Sequence, residues 1–185
     1  MYTDAYRASE RARILSLTDP LTELPNRRAF EERLKLAYER GERFALLFID
    51  LDGFKQINDR LGHASGDDAL REIGAILRQA VRQADMAARI GGDEFCLLLA
   101  SADAVSTRVV AERVLGGLRA LPLPPGATLG ASFGIATHRD GTDPESVVAA
   151  ADAAMYRAKR QTGAAHIAYA PSLEASARSS AQAIS

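Results

Sequence analysis

A chain of 185 residues, 47% of them hydrophobic, is long enough for one domain with a real core and too short for two of ordinary size. Its 23 Lys and Arg stand against 24 Asp and Glu, a net charge of -1 that gives no global attraction to nucleic acid or an anionic membrane, though local basic residues leave anionic small molecules open. The single cysteine, Cys96, excludes an internal disulfide, and MYTDAYRASERAR has neither a signal-type apolar core nor a membrane-length run, so a reducing, cytoplasmic setting is expected, with any sensor region in a longer protein.

In chain order, residues 5–17 read as a short, mostly polar helix. TDPLTELPNRR (18–28) interrupts it with two prolines and cap-type residues. Asn26 is placed to cap a helix reaching about Arg40, with Phe30, Leu34, Ala37 and Tyr38 on one side. RFALLFIDLD is a continuous apolar run ending in acids, the pattern of a buried strand whose carboxyl end emerges at a site. Residues 54–61 form a short helical piece. Over 65–81, Leu70, Ile73, Leu77 and Val81 recur at helical steps, which predicts an amphipathic helix with Asp67 and Asp68 in its first turn.

Residues 86–90 and 95–99 flank a Gly-Gly turn as two short strands. A helix over 105–121, a stiff PLPPG turn, a strand over 128–137, an alanine-rich helix over 144–161 with proline in its first turn, and a short strand over 165–169 complete the order. The polar end SLEASARSSAQAIS is expected to fray. A central sheet with a hairpin and helices on its faces is an α/β (α+β) sandwich.

The tetrapeptide Gly91-Gly92-Asp93-Glu94 has two readings, a solvated hairpin tip or a site. Asp50 and Asp52 end the long apolar strand, and Asp93 and Glu94 sit on the hairpin. If those strands are neighbours, four carboxylates meet at one sheet edge, where a cation must neutralise them. Hard oxygen ligands suit Mg²⁺ or Mn²⁺, two of which clamp a phosphoryl transfer in many enzymes. Side-chain-free Gly91 and Gly92 would let backbone approach a phosphate.

RIGGDEF resembles the signature of the GGDEF family, the diguanylate cyclases. DPLTELPNRR, FIDLDGFKQINDRLGHASGDDAL, ASFGIAT and ADAAMYRAK are similar to the family's other blocks, in the family's order, and together cover about residues 18–163. The resemblance implies a palm-like fold, similar to nucleotide cyclases and polymerases, with a mostly antiparallel central sheet. The implied organisation is a helical lead-in over 1–17, the end of a stalk or linker, a catalytic domain over 18–170 and a flexible tail over 171–185.

By the same resemblance, Asp50, the backbone carbonyl of Leu51, Asp93 and Glu94 hold two Mg²⁺ or Mn²⁺ per active site, and Asp93 is also the base. Asp52 is a supporting acid. Asn58 and Asp67 read guanine with His63 in the pocket, although a structural hydrogen bond is an equal reading for His63. Lys55 and Lys159 match the family's phosphate-binding lysines, Lys55 is counted with Asp93 in the chemistry, and Arg160 is the candidate to substitute for a basic residue the family carries further on. The family's Gly-Arg-Asn after the last long helix is replaced by RQTGAAH, a departure that bears on triphosphate affinity more than on chemistry.

The implied reaction is 2 GTP → cyclic di-GMP + 2 pyrophosphate, with two copies facing each other as a homodimer and an N-terminal sensor organising them. RQAD, with Arg82 and Asp85, and Arg113 on the next helix match the family's product-inhibition site. The alternative is a non-catalytic module that holds GTP or cyclic di-GMP and signals to a partner. Degenerate signatures mark such members, whereas Gly91-Gly92-Asp93-Glu94-Phe95 is intact. A cyclase with another nucleotide product is disfavoured by Asp67.

Overall fold

The apolar run after Arg43 becomes β1 (Phe44–Asp52), the middle strand of a five-stranded sheet ordered β2-β3-β1-β4-β5. Eight of its nine residues are buried, because helices cover both faces and alternation is not needed. The computed structural model describes residues 16–123, 127–138, 142–161 and 165–170. All but the last two residues of the expected helix over 5–17, the last three residues of the PLPPG turn, residues 162–164 of the RQTGAAH replacement and the tail over 171–185 lie outside those residues.

β2 (Met86–Arg89) and β3 (Glu94–Ala100) form the expected hairpin. β3 and β4 (Gly130–Thr137) each pair antiparallel with β1, while β5 (Ala165–Tyr169) runs parallel to β4 after a helical crossover. The mostly antiparallel α/β sandwich is thus the observed architecture.

Five helices given in full by the described residues supply the two outer layers. α1 (Arg27–Glu39) is capped by the Asn26 side chain, which accepts from the Ala29 N–H. α2 (Phe54–Leu61) and α3 (His63–Ala80) follow β1, and α4 (Ala104–Arg119) begins with an Asp103–Ser106 capping box. α5 (Pro144–Lys159) carries Asp143 as its cap and Pro144 at its start. Leu47, Ile49 and Leu51 of β1 pack with Ile57, Leu70, Ile73 and Val114 under α2, α3 and α4. The alternate residues Leu46 and Phe48 pack with Phe30, Leu34, Val147 and Met155 under α1 and α5.

One boundary differs in a way that matters for the site. α3 begins at His63, two residues before the expected start, because Gly62 at φ +83° turns the chain directly from α2 into α3. Asp67 and Asp68 therefore stand in the second turn, and the first turn has no acid.

α5 lies unusually close to β4. Ala151, Ala154 and Ala158 are fully buried beneath it, and a Cβ at Gly134 would run into the Ala151 carbonyl oxygen and the Met155 backbone nitrogen. Only a missing side chain allows that approach. Among the described residues, no helix is long and apolar enough to cross a membrane.

Candidate functional site

The β1–β3 register sets Asp50 directly opposite Glu94. Directly opposed residues of an antiparallel pair share a face, and like charges there repel unless something neutralises them. Asp50 is only 6% exposed. Its neutralising group is Lys159 at the end of α5, whose Nζ donates to both carboxylate oxygens at 2.7 and 2.9 Å. Burial pushes the Asp50 carboxyl above the usual range, and the Asp93 and Asp52 charges add to that, so Lys159 offsets the cost only in part. The Lys159 ammonium is in turn held above its ordinary value, first by its hydrogen bond to Asp50.

Asp93 precedes β3 on the turn. Its backbone carbonyl accepts the Leu51 N–H at 3.1 Å, and its carboxylate acts electrostatically on both Asp50 and Lys159. In an extended strand the carbonyl of a residue points to the side of its N–H, so the Leu51 carbonyl faces this turn. Asp52 accepts from the buried Ser132 hydroxyl at 2.9 Å. The Glu94 side chain folds over Gly91, where a Cβ would collide with it, whereas Gly92 has open space around it. Neither glycine has a positive φ, so clearance is what the pair contributes.

Asp50, Asp52, Asp93 and Glu94 thus come to one edge. As they stand, among the described residues, no three His, Cys, Asp or Glu are close enough to enclose an ion. Lys159 holds Asp50, Ser132 holds Asp52, and Glu94 lies back over Gly91. The donor chemistry nevertheless fits Mg²⁺ or Mn²⁺, since every available ligand is oxygen and the buried Asp50 anion already requires a cation beside it.

The turn is held from the N-terminal side by residues whose roles sequence reading missed. Arg89 donates to the Gly92 carbonyl at 2.8 and 3.3 Å and to Asp19 at 3.1 and 3.3 Å, while Arg27 donates twice to the Ile90 carbonyl at 3.0 and 2.7 Å. The Arg immediately before the Ile-Gly-Gly tip and the Asp of TDPLT were the available signal. Burial raises the Asp19 carboxyl, but hydrogen bonds from Thr22 and Arg89 outweigh it and leave the group below its ordinary value. A lowered acid contributes stability above its unfolded pKa of about 3.9 and loses it as pH falls through the folded value. Asp19→Ala is therefore expected to lower the urea midpoint at pH 7 and to flatten its fall between about pH 5 and pH 2, as unfolding curves across that range would register.

The residues expected to read a base line α2 and α3. Asn58 is half-buried against Gly66, where a Cβ would strike its side-chain oxygen, and Asp67 follows on the exposed side of α3. Lys55 and His63 are exposed at the starts of α2 and α3, and Arg160 is exposed next to Lys159 as the C-cap of α5. Asn58 therefore meets α3 at Gly66, the residue before Asp67.

Arg82, Asp85 and Arg113 line a separate cavity of about 200 Å³ beside Ser101, Ser106 and Val109. Asp85 accepts from the Ala100 and Arg82 N–H groups at 2.9 and 3.0 Å, and Arg113 donates to the Ala80 carbonyl at 2.9 Å. Ala100 ends the strand that Glu94 begins, so this cavity lies roughly 20 Å from the acidic edge at about 3.3 Å per residue. A third space, a groove of about 1030 Å³ between α1 and α5, is floored by Phe30, Leu34, Phe48 and Val148 and reaches the acids only at Glu94.

Residues 16–165 match the family model described as diguanylate cyclase, GGDEF domain. Among curated proteins, the chain is 45% identical over 152 residues to diguanylate cyclase TpbB of Pseudomonas aeruginosa, covering 77% of this chain and 35% of that one. The chain therefore spans about a third of that relative's length. The structure is similar to the coiled coil and GGDEF domain of DgcB from Caulobacter crescentus in complex with c-di-GMP, with a TM-score of 0.83 and 28% identity, covering 91% of this chain and 93% of that one. It is also similar to diguanylate cyclase SiaD from Pseudomonas aeruginosa, in complex with its activator SiaC, with a TM-score of 0.78 and 37% identity over 91% of this chain and 69% of that one.

Proposed function

The chain belongs to the GGDEF, or diguanylate cyclase, family, and from that membership we propose that it condenses two GTP into cyclic di-GMP and two pyrophosphates. The observation that carries the proposal is the intact Gly91-Gly92-Asp93-Glu94-Phe95 hairpin, registered so that Asp50 faces Glu94 with Asp93 beside them.

In this reading Asp50, the Leu51 carbonyl, Asp93 and Glu94 would hold two Mg²⁺ or Mn²⁺. Such ions supply charge neutralisation for a triphosphate and for the charge that builds at phosphorus during displacement. Asp93, already placed on the turn by its backbone bond to Leu51, takes the proton of the ribose 3′-hydroxyl. Lys55, Lys159 and Arg160 meet the phosphates, with Lys159 and Arg160 arriving together from the end of α5.

Guanine recognition falls to Asn58 and Asp67, with His63 at the same joint. An ionised carboxylate accepts, so Asp67 suits the guanine N1–H and exocyclic amine, neither of which adenine offers. An unpaired buried polar group costs ~1–3 kcal/mol, so Asp67→Ala is expected to lower the GTP-over-ATP ratio of kcat/KM by roughly 10–100-fold. An unchanged ratio, measured with both nucleotides on parent and variant, contradicts this assignment.

One domain offers one nucleotide site, and a product with two equivalent phosphodiester links calls for two copies related by a two-fold axis. An N-terminal sensor or stalk is the natural organiser of that pair, which need form only transiently.

The Arg82, Asp85 and Arg113 cavity is the feedback site of this reading, where guanidinium groups meet the phosphates or guanine edge of cyclic di-GMP. Asp85 also holds the backbone of Ala100, so Arg82 is the cleaner probe. Arg82→Ala is expected to raise the product concentration for half-inhibition by about tenfold or more, the loss of one charge-assisted hydrogen bond. Identical inhibition curves for parent and variant would remove the site from this account.

A further inference from the structure

Lys159 and a divalent cation have claims on the same two oxygen atoms. We propose that Lys159 is the resident cation of Asp50 in the nucleotide-free chain, so that a metal reaches Asp50 only by displacing the ammonium, which then becomes free to meet a triphosphate. The inference rests on the proposed metal-dependent function and adds to it an order of events and a cost of metal binding in the absence of nucleotide.

Both carboxylate oxygens of Asp50 are engaged by one nitrogen, at 2.7 and 2.9 Å. Both oxygens are thus claimed by the ammonium, and a metal that approaches them must compete with it for the same carboxylate. The carboxylate itself cannot turn away, because its side chain is 9% exposed and sits inside the sheet opposite Glu94. The lysine can move. Its side chain is 48% exposed, it is the last residue of α5, and its long stem can swing outward with no change in the helix.

The charges also balance through the exchange. With Lys159 in place, one positive charge offsets Asp50 beside Asp52 and Asp93, which act on the same ammonium. A departing ammonium and an arriving divalent ion leave the edge better neutralised than before. A triphosphate is the partner that favours this, since it gives the displaced Lys159 a new anion while requiring the metal. Metal affinity without nucleotide is accordingly held down by the lysine, and removing the lysine raises it.

Manganese binding to the nucleotide-free chain, followed by the loss of the free Mn²⁺ paramagnetic signal, tests this. Lys159→Met keeps the stem and removes the charge, Lys159→Gln keeps a hydrogen-bond donor for Asp50 should the first variant fold poorly, and Asp50→Asn removes the contested carboxylate. The expected result is tighter Mn²⁺ binding by Lys159→Met and Lys159→Gln, by about tenfold, abolished when Asp50→Asn is added, with a larger Mn²⁺-dependent rise in melting temperature than the parent shows. Equal Mn²⁺ affinity in parent and both lysine variants, with Asp50 still required when a non-hydrolysable GTP analogue is bound, overturns the exchange and leaves the proposed function standing. Mn²⁺ binding that ignores Asp50→Asn even with the analogue bound overturns both.

Discussion

Asp93→Ala is expected to lower cyclic di-GMP formation by about 10²–10⁴-fold, the usual contribution of a positioned general base, while the protein stays folded. The separation of effects follows from how the residue is held. Its backbone carbonyl, which alanine keeps, makes the 3.1 Å bond to Leu51, while the carboxylate acts on Asp50 and Lys159 through its charge. Initial rates from GTP with Mg²⁺, beside thermal melts of parent and variant, check both halves. A variant that turns over at the parent rate removes Asp93 from the chemistry.

Gly134→Val is expected to have the largest effect on the fold. A Cβ there meets main-chain atoms, the Ala151 carbonyl and the Met155 nitrogen, and main chain cannot rotate out of the way as a side chain can. To admit it, α5 must lift from β4 and open the contacts of Ala151, Ala154 and Ala158, all fully buried. We expect a loss of about 4 kcal/mol or more, a large fraction of the ~5–15 kcal/mol that keeps an ordinary domain folded, read as a much lowered urea midpoint or as insoluble protein. Gly92→Ala is the control, since a Cβ there meets nothing within 4 Å and the residue has no positive φ; its stability is expected to stay within about 0.5 kcal/mol of the parent's. A Gly134→Val variant that melts with the parent would show that α5 does not depend on that close approach. Because Lys159 ends α5, the same glycine indirectly sets where the ammonium meets Asp50.

Most of the architecture was legible because its signals are local. The apolar run of β1, the Gly-Gly hairpin, the helical spacing of Leu70, Ile73 and Leu77, and the caps Asn26 and Asp143 each lie within one short window. α3 starts two residues before the reach of its apolar spacing, because Gly62 is itself the joint between two helices. The acidic edge was foreseeable as four carboxylates near strand ends, but which faces which depends on strand register. What could not be read was long-range partnership. Lys159 meets Asp50 across 109 residues, Ser132 meets Asp52 across 80, and Arg89 meets Asp19 across 70. No periodicity links such pairs, and each exists only because the sheet and α5 bring distant ends together.

The same partnerships explain why a carboxylate as buried as Asp50 is tolerated. A buried anion costs several kcal/mol unless paired, and its raised pKa shows that Lys159 does not fully offset the burial. Such residual cost is common where a group is placed for chemistry rather than for stability. The acidic edge and the Arg82 cavity stand at opposite ends of β3, so a ligand at one end has a single continuous strand between it and the other.

The most direct test of the account is to incubate the protein with GTP and Mg²⁺ at several protein concentrations and identify the products by chromatography. The expected result is cyclic di-GMP with two pyrophosphates per molecule, none from ATP alone, and a specific activity that rises with protein concentration as two copies meet. Absence of cyclic di-GMP at every concentration, while GTP or cyclic di-GMP still binds, would contradict it and make the domain a nucleotide receptor.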